Sequence, residues 1–257
     1  VMPAVRCQCD RLFEAADDGA LFDLLCGHVR AAHPGLVTDM QLRNLIEAQR
    51  RLAPVRPRVA AIGRLEVRPI APALLGDWLR LFDREAFADN PIWASCYCAF
   101  NHVPLAQEQW AERSAAENRG LMQERIACGA QRGYLAYADG EPAGWLNAAP
   151  RTELPHLARL PAFAIDDPEG VGTIACFVIA PPYRRQGVAR ALLDAACADF
   201  ARQGLTVAEG FPAKEPQSDG AAYHGPPALF AAAGFTAVHE RPPYVQMRKP
   251  LQPGAAP

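Results

Sequence analysis

Residues 184–189, Arg-Arg-Gln-Gly-Val-Ala, stand between an apolar run, "CFVIAPPY", and an alanine-rich run, "ARALLDAA". A strand, a basic turn and a helix start, in that order, build a place for an anion. The first helical turn carries amides that no carbonyl satisfies, and the helix dipole adds positive potential there. Gly187 permits a backbone conformation and a closeness of approach that a side chain forbids, and Ala189 keeps the first turn open. Arg184, Arg185 and Arg190 bring charge to the same spot. Val188, Leu192, Ala195, Ala196 and Phe200 form one apolar stripe, which predicts that the helix docks rigidly on a sheet.

A second constellation lies near the start of the chain, where Cys7-x-Cys9 is followed by His28 and His33. Two thiolates and two imidazoles suit tetrahedral zinc, which would help to stabilise a small core. Histidines five apart stand about 140° apart around an α-helix, so they converge only if the helix ends near His33. Pro34-Gly35 makes that ending plausible. The other reading is two core thiols and two histidines that favour a helix C-terminus.

The elements that must carry these groups fall into two units and a connector. Over residues 1–55 a short strand near "VRCQC" precedes two helices. The first has Leu21, Leu24, Leu25, Val29 and Ala32 on one face, with Asp17 or Asp18 as cap. The second opens on Thr38 and Gln41, a capping-box pair, with Leu42, Leu45, Ile46 and Leu52 as its stripe. Residues 56–64, with Pro57, read as a linker. Residues 65–250 read as strand, helix, an irregular "NPIWASCYCAF", helix, and a hairpin turning at Asp139-Gly140. A loop over 151–172, the strand, turn and helix at 173–204, the strand "LTVAEGF", a short helix and two last strands follow. Residues 251–257 form a tail.

The chain has 257 residues, 24 prolines and 19 glycines, and half its residues are hydrophobic, enough for a substantial core. Its 26 basic and 28 acidic side chains leave a net charge of −2, so nothing draws it globally to nucleic acid or an anionic membrane. Any positive site must be local. Eight cysteines scattered through apolar runs suit reduced thiols, and no segment has the length of a membrane span. The expectation is a soluble, cytoplasmic protein. The absence of Gly-Lys-Ser/Thr and of a Gly-x-Gly-x-x-Gly after a strand leaves nucleotide hydrolysis and dinucleotide chemistry without support.

Residues 184–189 and the "CFVIAPPY" before them resemble the pyrophosphate loop and fourth strand of the GNAT family of N-acetyltransferases. "YADGEPAGW" is similar to that family's hairpin, and "ALFAAAGF" to its closing helix and Gly-Phe entry to the next strand. The resemblance spans roughly 65–250. It implies an α/β fold with a mixed, largely antiparallel sheet flanked by helices, here joined to a small α-rich N-terminal domain. It also implies acetyl-CoA as cosubstrate, with pantetheine between strands 176–179 and 205–211, held by main chain at Phe177, Val178 and Ile179. The pyrophosphate would rest on residues 185–189. Residues 1–55 resemble a small bacterial domain of unknown function with a similar Cys pair and His pair.

The activity so implied is acetyl transfer to an amine by direct attack; the alternative is a non-catalytic acyl-CoA sensor. The acceptor is a small-molecule or peptide amine, with no nucleic acid or membrane partner, and a homodimer is left open. Relatives place a Glu on the fourth or fifth strand and a Tyr on the closing helix. Here the fifth strand offers Glu209, either a partly buried base or a solvated acid at a strand end. Phe230 stands at the usual Tyr position, so Tyr223 becomes the candidate acid, with His224 beside it. Cys176 reads either as an acyl carrier or as a core thiol. Trp93, Tyr97 and Phe100 read either as an acceptor wall or as a core plug. The N-terminal unit reads as a zinc-dependent, dimerising or acceptor-presenting module.

Overall fold

The computed structural model of the protein describes residues 2–7, 9–103, 105–215 and 222–252. Strands β1 (Ala4–Arg6) and β2 (Leu12–Glu14) pair antiparallel, and the second was not legible as a strand in the sequence. Helix α1 (Asp18–Ala32) starts where the Asp17 side chain accepts the Ala20 amide. Helix α2 (Asp39–Arg51) starts on a complete Thr38/Gln41 capping box. Val5, Phe13, Leu21, Phe22, Leu25, Val29, Leu42 and Ile46 form a separate small core. The buried face of α1 is rotated from the expected one, since Leu24 is 50 % exposed while Phe22 and Cys26 are buried. The reason is that α1 packs against both the hairpin and α2, so its apolar face widens toward Phe22.

The main sheet has seven strands in the order β3 (Leu65–Pro69), β4 (Tyr134–Ala138), β5 (Glu141–Pro150), β6 (Val171–Ile179), β7 (Val207–Gly210), β9 (Tyr244–Pro250), β8 (Thr236–Arg241). Every neighbouring pair is antiparallel except β6 and β7. A parallel pair needs a crossover, and α6 (Val188–Arg202) provides it, burying Val188, Leu192, Leu193, Ala196, Cys197 and Phe200. The β4–β5 hairpin turns through Asp139 and Gly140, both with positive φ as a tight two-residue turn requires.

Helix α3 (Leu75–Arg80) is extended at both ends, by a 3₁₀ turn from Pro72 and a π turn to Glu85. The single helix expected after "NPIWASCYCAF" is two helices, α4 (Gln107–Ala111) and α5 (Ala115–Ala127). The break occurs where Ser114 and Glu117 form a new capping box. Trp78, Phe82, Tyr97 and Trp145 pack against one another, Trp145 edge-on, in the core between these helices and the sheet.

Parallel pairing of β6 with β7 lasts only from Val171 to Ile174 against Val207 to Gly210. Beyond it the strands part. Helix α7 (Pro227–Ala232) sends Phe230 into the parting, and Gly210 makes room: a Cβ there would lie 2.3 Å from the Phe230 ring. The opening that results runs along β6 toward the start of α6.

Burial holds two histidines neutral. It pushes the His224 pKa down to about 4 and that of His102 down to about 3. As pH falls below about 6.5 the unfolded chain takes up protons that these rings refuse. Stability is therefore complete above that value and declines through the folded pKa values. Each ring is expected to cost about 2 kcal/mol at pH 5. Thermal melts at pH 7 and pH 5 check this, with His102→Gln halving the difference.

Candidate active site

The sequence between β6 and α6 folds as expected of a turn, with Pro181–Tyr183 forming one 3₁₀ turn. Arg185 (φ 62°) and Gly187 (φ 84°) then take the left-handed region, which costs a non-glycine residue strain and suits Gly187. The first helical bond runs from the Ala191 amide to the Gly187 carbonyl, so the amides of Val188, Ala189 and Arg190 precede the helical ladder.

Three of the nominated side chains help to hold this turn, and two of them, Arg184 and Arg190, also line the cleft beside it. Arg184 grips Asp89 with both terminal nitrogens and donates from Nε to the Ile179 carbonyl. Gln186 donates to the carbonyls of Val59 and Pro182. Arg190 pairs with Asp194 and donates to the Ala232 carbonyl. Arg185 stays exposed, and Arg58 donates to its carbonyl, bringing a guanidinium that sequence reasoning missed. The segment 56–64, which composition marks as a linker, is laid along the turn by these bonds and by the Val59 amide on Pro182. Nothing local in its sequence signals that contact.

A cleft of about 1100 Å³ joins this turn to the opening beside β6. Its edge differs from the expectation that pantetheine finds free main-chain groups at Phe177 and Ile179. The Phe177 amide donates to the Tyr223 carbonyl at 2.6 Å, His224 Nδ1 donates to the Ala175 carbonyl at 2.8 Å, and Arg184 covers the Ile179 carbonyl. A buried strand edge must be satisfied, and the chain's own 222–224 segment does it. Val178 pairs through its main chain with Trp145 of β5 and contributes only to the lining.

Glu209 does not reach the cleft, which corrects its reading as a base. It is 0 % exposed and lies within the sheet between Thr173 and Arg248. One carboxylate oxygen accepts from Arg151 at 3.5 Å and Thr173 at 3.0 Å. The other accepts from Gln246 at 3.0 Å and from two Arg248 nitrogens at 3.3 and 3.2 Å. With both oxygens occupied, Glu209 serves a buried ion network. Strand alternation placed it on a face but could not show that two arginines share that face.

Tyr223 and His224 do line the cleft. Burial, reinforced by Tyr244, raises the Tyr223 pKa, so the phenol stays protonated. The His224 Nδ1–H donated to Ala175 fixes the tautomer and leaves Nε2 as an acceptor. Cys176 also lines the cleft, but its sulfur lies 3.6 Å from that of Cys98 and donates weakly to the Phe177 carbonyl. Burial pushes the neighbouring Cys96 thiol up to about 12.

The far end of the cleft is walled by Trp93, Cys96, Cys98 and Phe100 from "NPIWASCYCAF", together with Trp110 and Arg113. Tyr97 from the same stretch turns inward, donating to Asp83 at 2.7 Å, so the stretch is wall and plug at once. Left-handed backbone at Tyr97 and Cys98 makes that division. Leu36, Val37, Gln41 and Asn44 of the N-terminal unit complete the wall, and no carboxylate lines the cleft among the described residues. Asn44 fastens the unit, donating to the Arg113 carbonyl and accepting the Ala115 amide.

Apart from the cleft, Cys7, Cys9, His28 and His33 gather with their ligand atoms within 4.8 Å of one another. A hydrogen bond from the Arg11 amide, with the nearby His33 ring, lowers the Cys9 thiol to about 6.

Residues 103–215 match the family model described as the acetyltransferase (GNAT) family. No curated protein matches the chain. Among solved structures, the chain is similar to the PaiA N-acetyltransferase of Thermoplasma acidophilum in complex with coenzyme A, at 12 % identity over 73 % of this chain and 99 % of that one, TM-score 0.43. It is similar to YncA, a putative acetyltransferase of Salmonella typhimurium with acetyl-CoA, at 15 % identity over 75 % and 97 %, TM-score 0.42. A third is the ribosomal-protein-alanine N-acetyltransferase of Brucella melitensis, at 14 % identity over 72 % and 99 %, TM-score 0.43. Residues 103–215 are thus a GNAT acetyltransferase domain, which makes the protein an acyltransferase.

Proposed function

We propose that the protein transfers the acetyl group of acetyl-CoA to an amine by direct attack. The observation that carries this is one continuous opening, from the parted edge of β6 to the amide-rich start of α6. That shape takes an extended thioester at one end and a pyrophosphate at the other. The Phe177 carbonyl and Ile179 amide, which by alternation face the opening, hold pantetheine; the amides of residues 185–189 and the Arg185 and Arg58 guanidinia hold the pyrophosphate.

In the reaction the amine nitrogen attacks the thioester carbonyl, a C–N bond forms and the C–S bond breaks. His224 Nε2 accepts the proton that the nitrogen sheds, and the Tyr223 hydroxyl protonates the departing thiolate. The adduct nitrogen is far more acidic than a free amine, so an imidazole of low basicity suffices. Direct attack assigns no acyl-carrying role to Cys176, whose sulfur rests against that of Cys98 and the Phe177 carbonyl.

An acceptor cavity with Arg113 and no carboxylate among its described residues matches an amine that carries its own carboxylate, such as an amino acid or a peptide end, better than a polyamine. The test is coenzyme A release from acetyl-CoA across a panel of amino acids, short peptides and polyamines. Turnover with none of them, by a protein that binds acetyl-CoA, overturns the catalytic reading. Tyr223→Phe is expected to lower kcat by about 10- to 100-fold while leaving acetyl-CoA affinity within about twofold. An unchanged kcat removes Tyr223 from the chemistry.

A further inference from the structure

We propose that Cys7, Cys9, His28 and His33 bind one structural zinc ion, and that this metal fixes the turn at residues 34–38 against the acceptor end of the cleft. The four residues come from three places. Cys7 and Cys9 sit in the β1–β2 turn, which is closed by the Cys7 amide on the Arg11 carbonyl and the Asp10 amide on the Cys7 carbonyl, both 2.9 Å. His28 projects from α1. His33 follows the last helical residue, Ala32, with φ −139° and ψ 52°. That exit from the helix brings the two imidazoles, which a continuous helix would hold apart, to 5.0 Å between ring centroids.

The distances fit a metal. His28 Nε2 lies 3.3 Å from the sulfur of Cys7 and 3.3 Å from that of Cys9. With Zn–S near 2.3 Å and Zn–N near 2.0–2.1 Å, tetrahedral ligand atoms stand about 3.3–3.8 Å apart. Gathering within 4.8 Å therefore leaves only a short inward adjustment for the most distant pair. His33 Nε2 supplies an independent sign: it is sealed from solvent with no hydrogen-bond partner among the described residues. A buried polar atom of that kind calls for a partner that the protein does not supply.

Competing readings explain less. Cys9 is exposed, so it is not a core thiol, and a Cys7–Cys9 disulfide would leave the convergence of both imidazoles unexplained. An all-sulfur-and-nitrogen set in tetrahedral array selects zinc over magnesium or calcium. The small core beside the cluster is of the size at which a metal supplies the stability that apolar burial lacks.

The link to the cleft is short. Leu36 and Val37, three and four residues past His33, line it, and the Thr38 hydroxyl donates to the Ala111 carbonyl at 3.1 Å. Holding His33 thus holds the wall.

The experiment uses the full chain. Elemental analysis should find one zinc per chain, and cobalt exchange should give thiolate-to-metal charge-transfer and tetrahedral d–d absorption. Both signals should be lost in Cys9→Ser, which leaves the apolar core intact, and in His33→Ala. Hydrogen exchange is the second readout. Amides over residues 34–41 should exchange at least about tenfold faster without metal, a loss of roughly 1.4 kcal/mol of local protection, while those of α6 stay unchanged. A folded chain that holds no zinc and gives no cobalt bands overturns the site, as does full metal retention in both variants. Metal loss with unchanged exchange over 34–41 overturns the link to the wall.

Discussion

Gly187→Glu is expected to abolish measurable binding of acetyl-CoA and of free coenzyme A, lowering affinity by at least about 100-fold, while the melting temperature stays within a few degrees of the parent. The physical basis is charge at short range. Gly187 is exposed, with nothing within 4 Å of the position its Cβ would take, so a glutamate fits without a clash. Its carboxylate would stand at the amides proposed to hold the pyrophosphate. Two like charges about 4 Å apart at an effective dielectric near 20 repel by about 4 kcal/mol, and each 1.4 kcal/mol is tenfold in affinity. Gly187→Ala separates charge from backbone strain, because it keeps the cost of φ 84° and adds no charge. It should weaken binding by less than about tenfold, from a strain cost of roughly 1 kcal/mol. Titration calorimetry with both ligands decides the matter. Tight binding by Gly187→Glu would mean that the turn does not hold the pyrophosphate.

The second large effect is on stability and distinguishes two roles for one acid. Removing one partner from a buried ion network leaves the other charges uncompensated, at a cost of about 3–5 kcal/mol. Glu209 is the acid between Arg151 and Arg248, and Arg151 is 3 % exposed, so Glu209→Ala is expected to cost that amount. At about 2–4 °C per kcal/mol the melting temperature falls by roughly 10 °C. Glu209→Gln keeps hydrogen bonds to Thr173 and one arginine and should lose less. In both variants the folded fraction retains its kcat, since neither carboxylate oxygen faces the cleft. A base would behave oppositely: Glu209→Gln would cut kcat about 100-fold or more and leave the melting temperature nearly unchanged. Urea melts and steady-state kinetics on the same samples separate the two.

Much of the site's frame was legible before any coordinates. The Pro-Pro-Tyr-Arg-Arg-Gln-Gly turn reads as a helix entry because its signals are local: two prolines, a glycine at positive φ and an apolar stripe at helical spacing. The Asp139-Gly140 hairpin and the Thr38/Gln41 capping box read out for the same reason. The convergence of His28 and His33 turned on a helix end, and Pro34-Gly35 supplied the cue.

What stayed illegible shares a cause. Arg184 and Asp89 are 95 residues apart, Glu209 and Arg151 are 58 apart, and Phe177 meets the Tyr223 carbonyl across 46 residues. No spacing rule relates such partners, because their meeting depends on sheet order and on how far β6 and β7 stay paired. That Arg184 also grips Asp89 is one such fact, which no local pattern around the basic turn foretells.

The sequence alone determined the local chemistry of this acyltransferase: a basic turn leading into a rigid helix, a Cys/His set at the start and a core large enough to hold them. Backbone preferences and side-chain periodicity act over a few residues, so one dimension is enough to specify them. Only the tertiary structure decided which groups face the cleft. It withdrew Glu209 into the sheet, left Tyr223 and His224 at the opening and brought the N-terminal unit up as a wall. Those outcomes rest on packing and charge pairing between distant segments, where burial fixes whether a titratable group is spent on stability or left for chemistry.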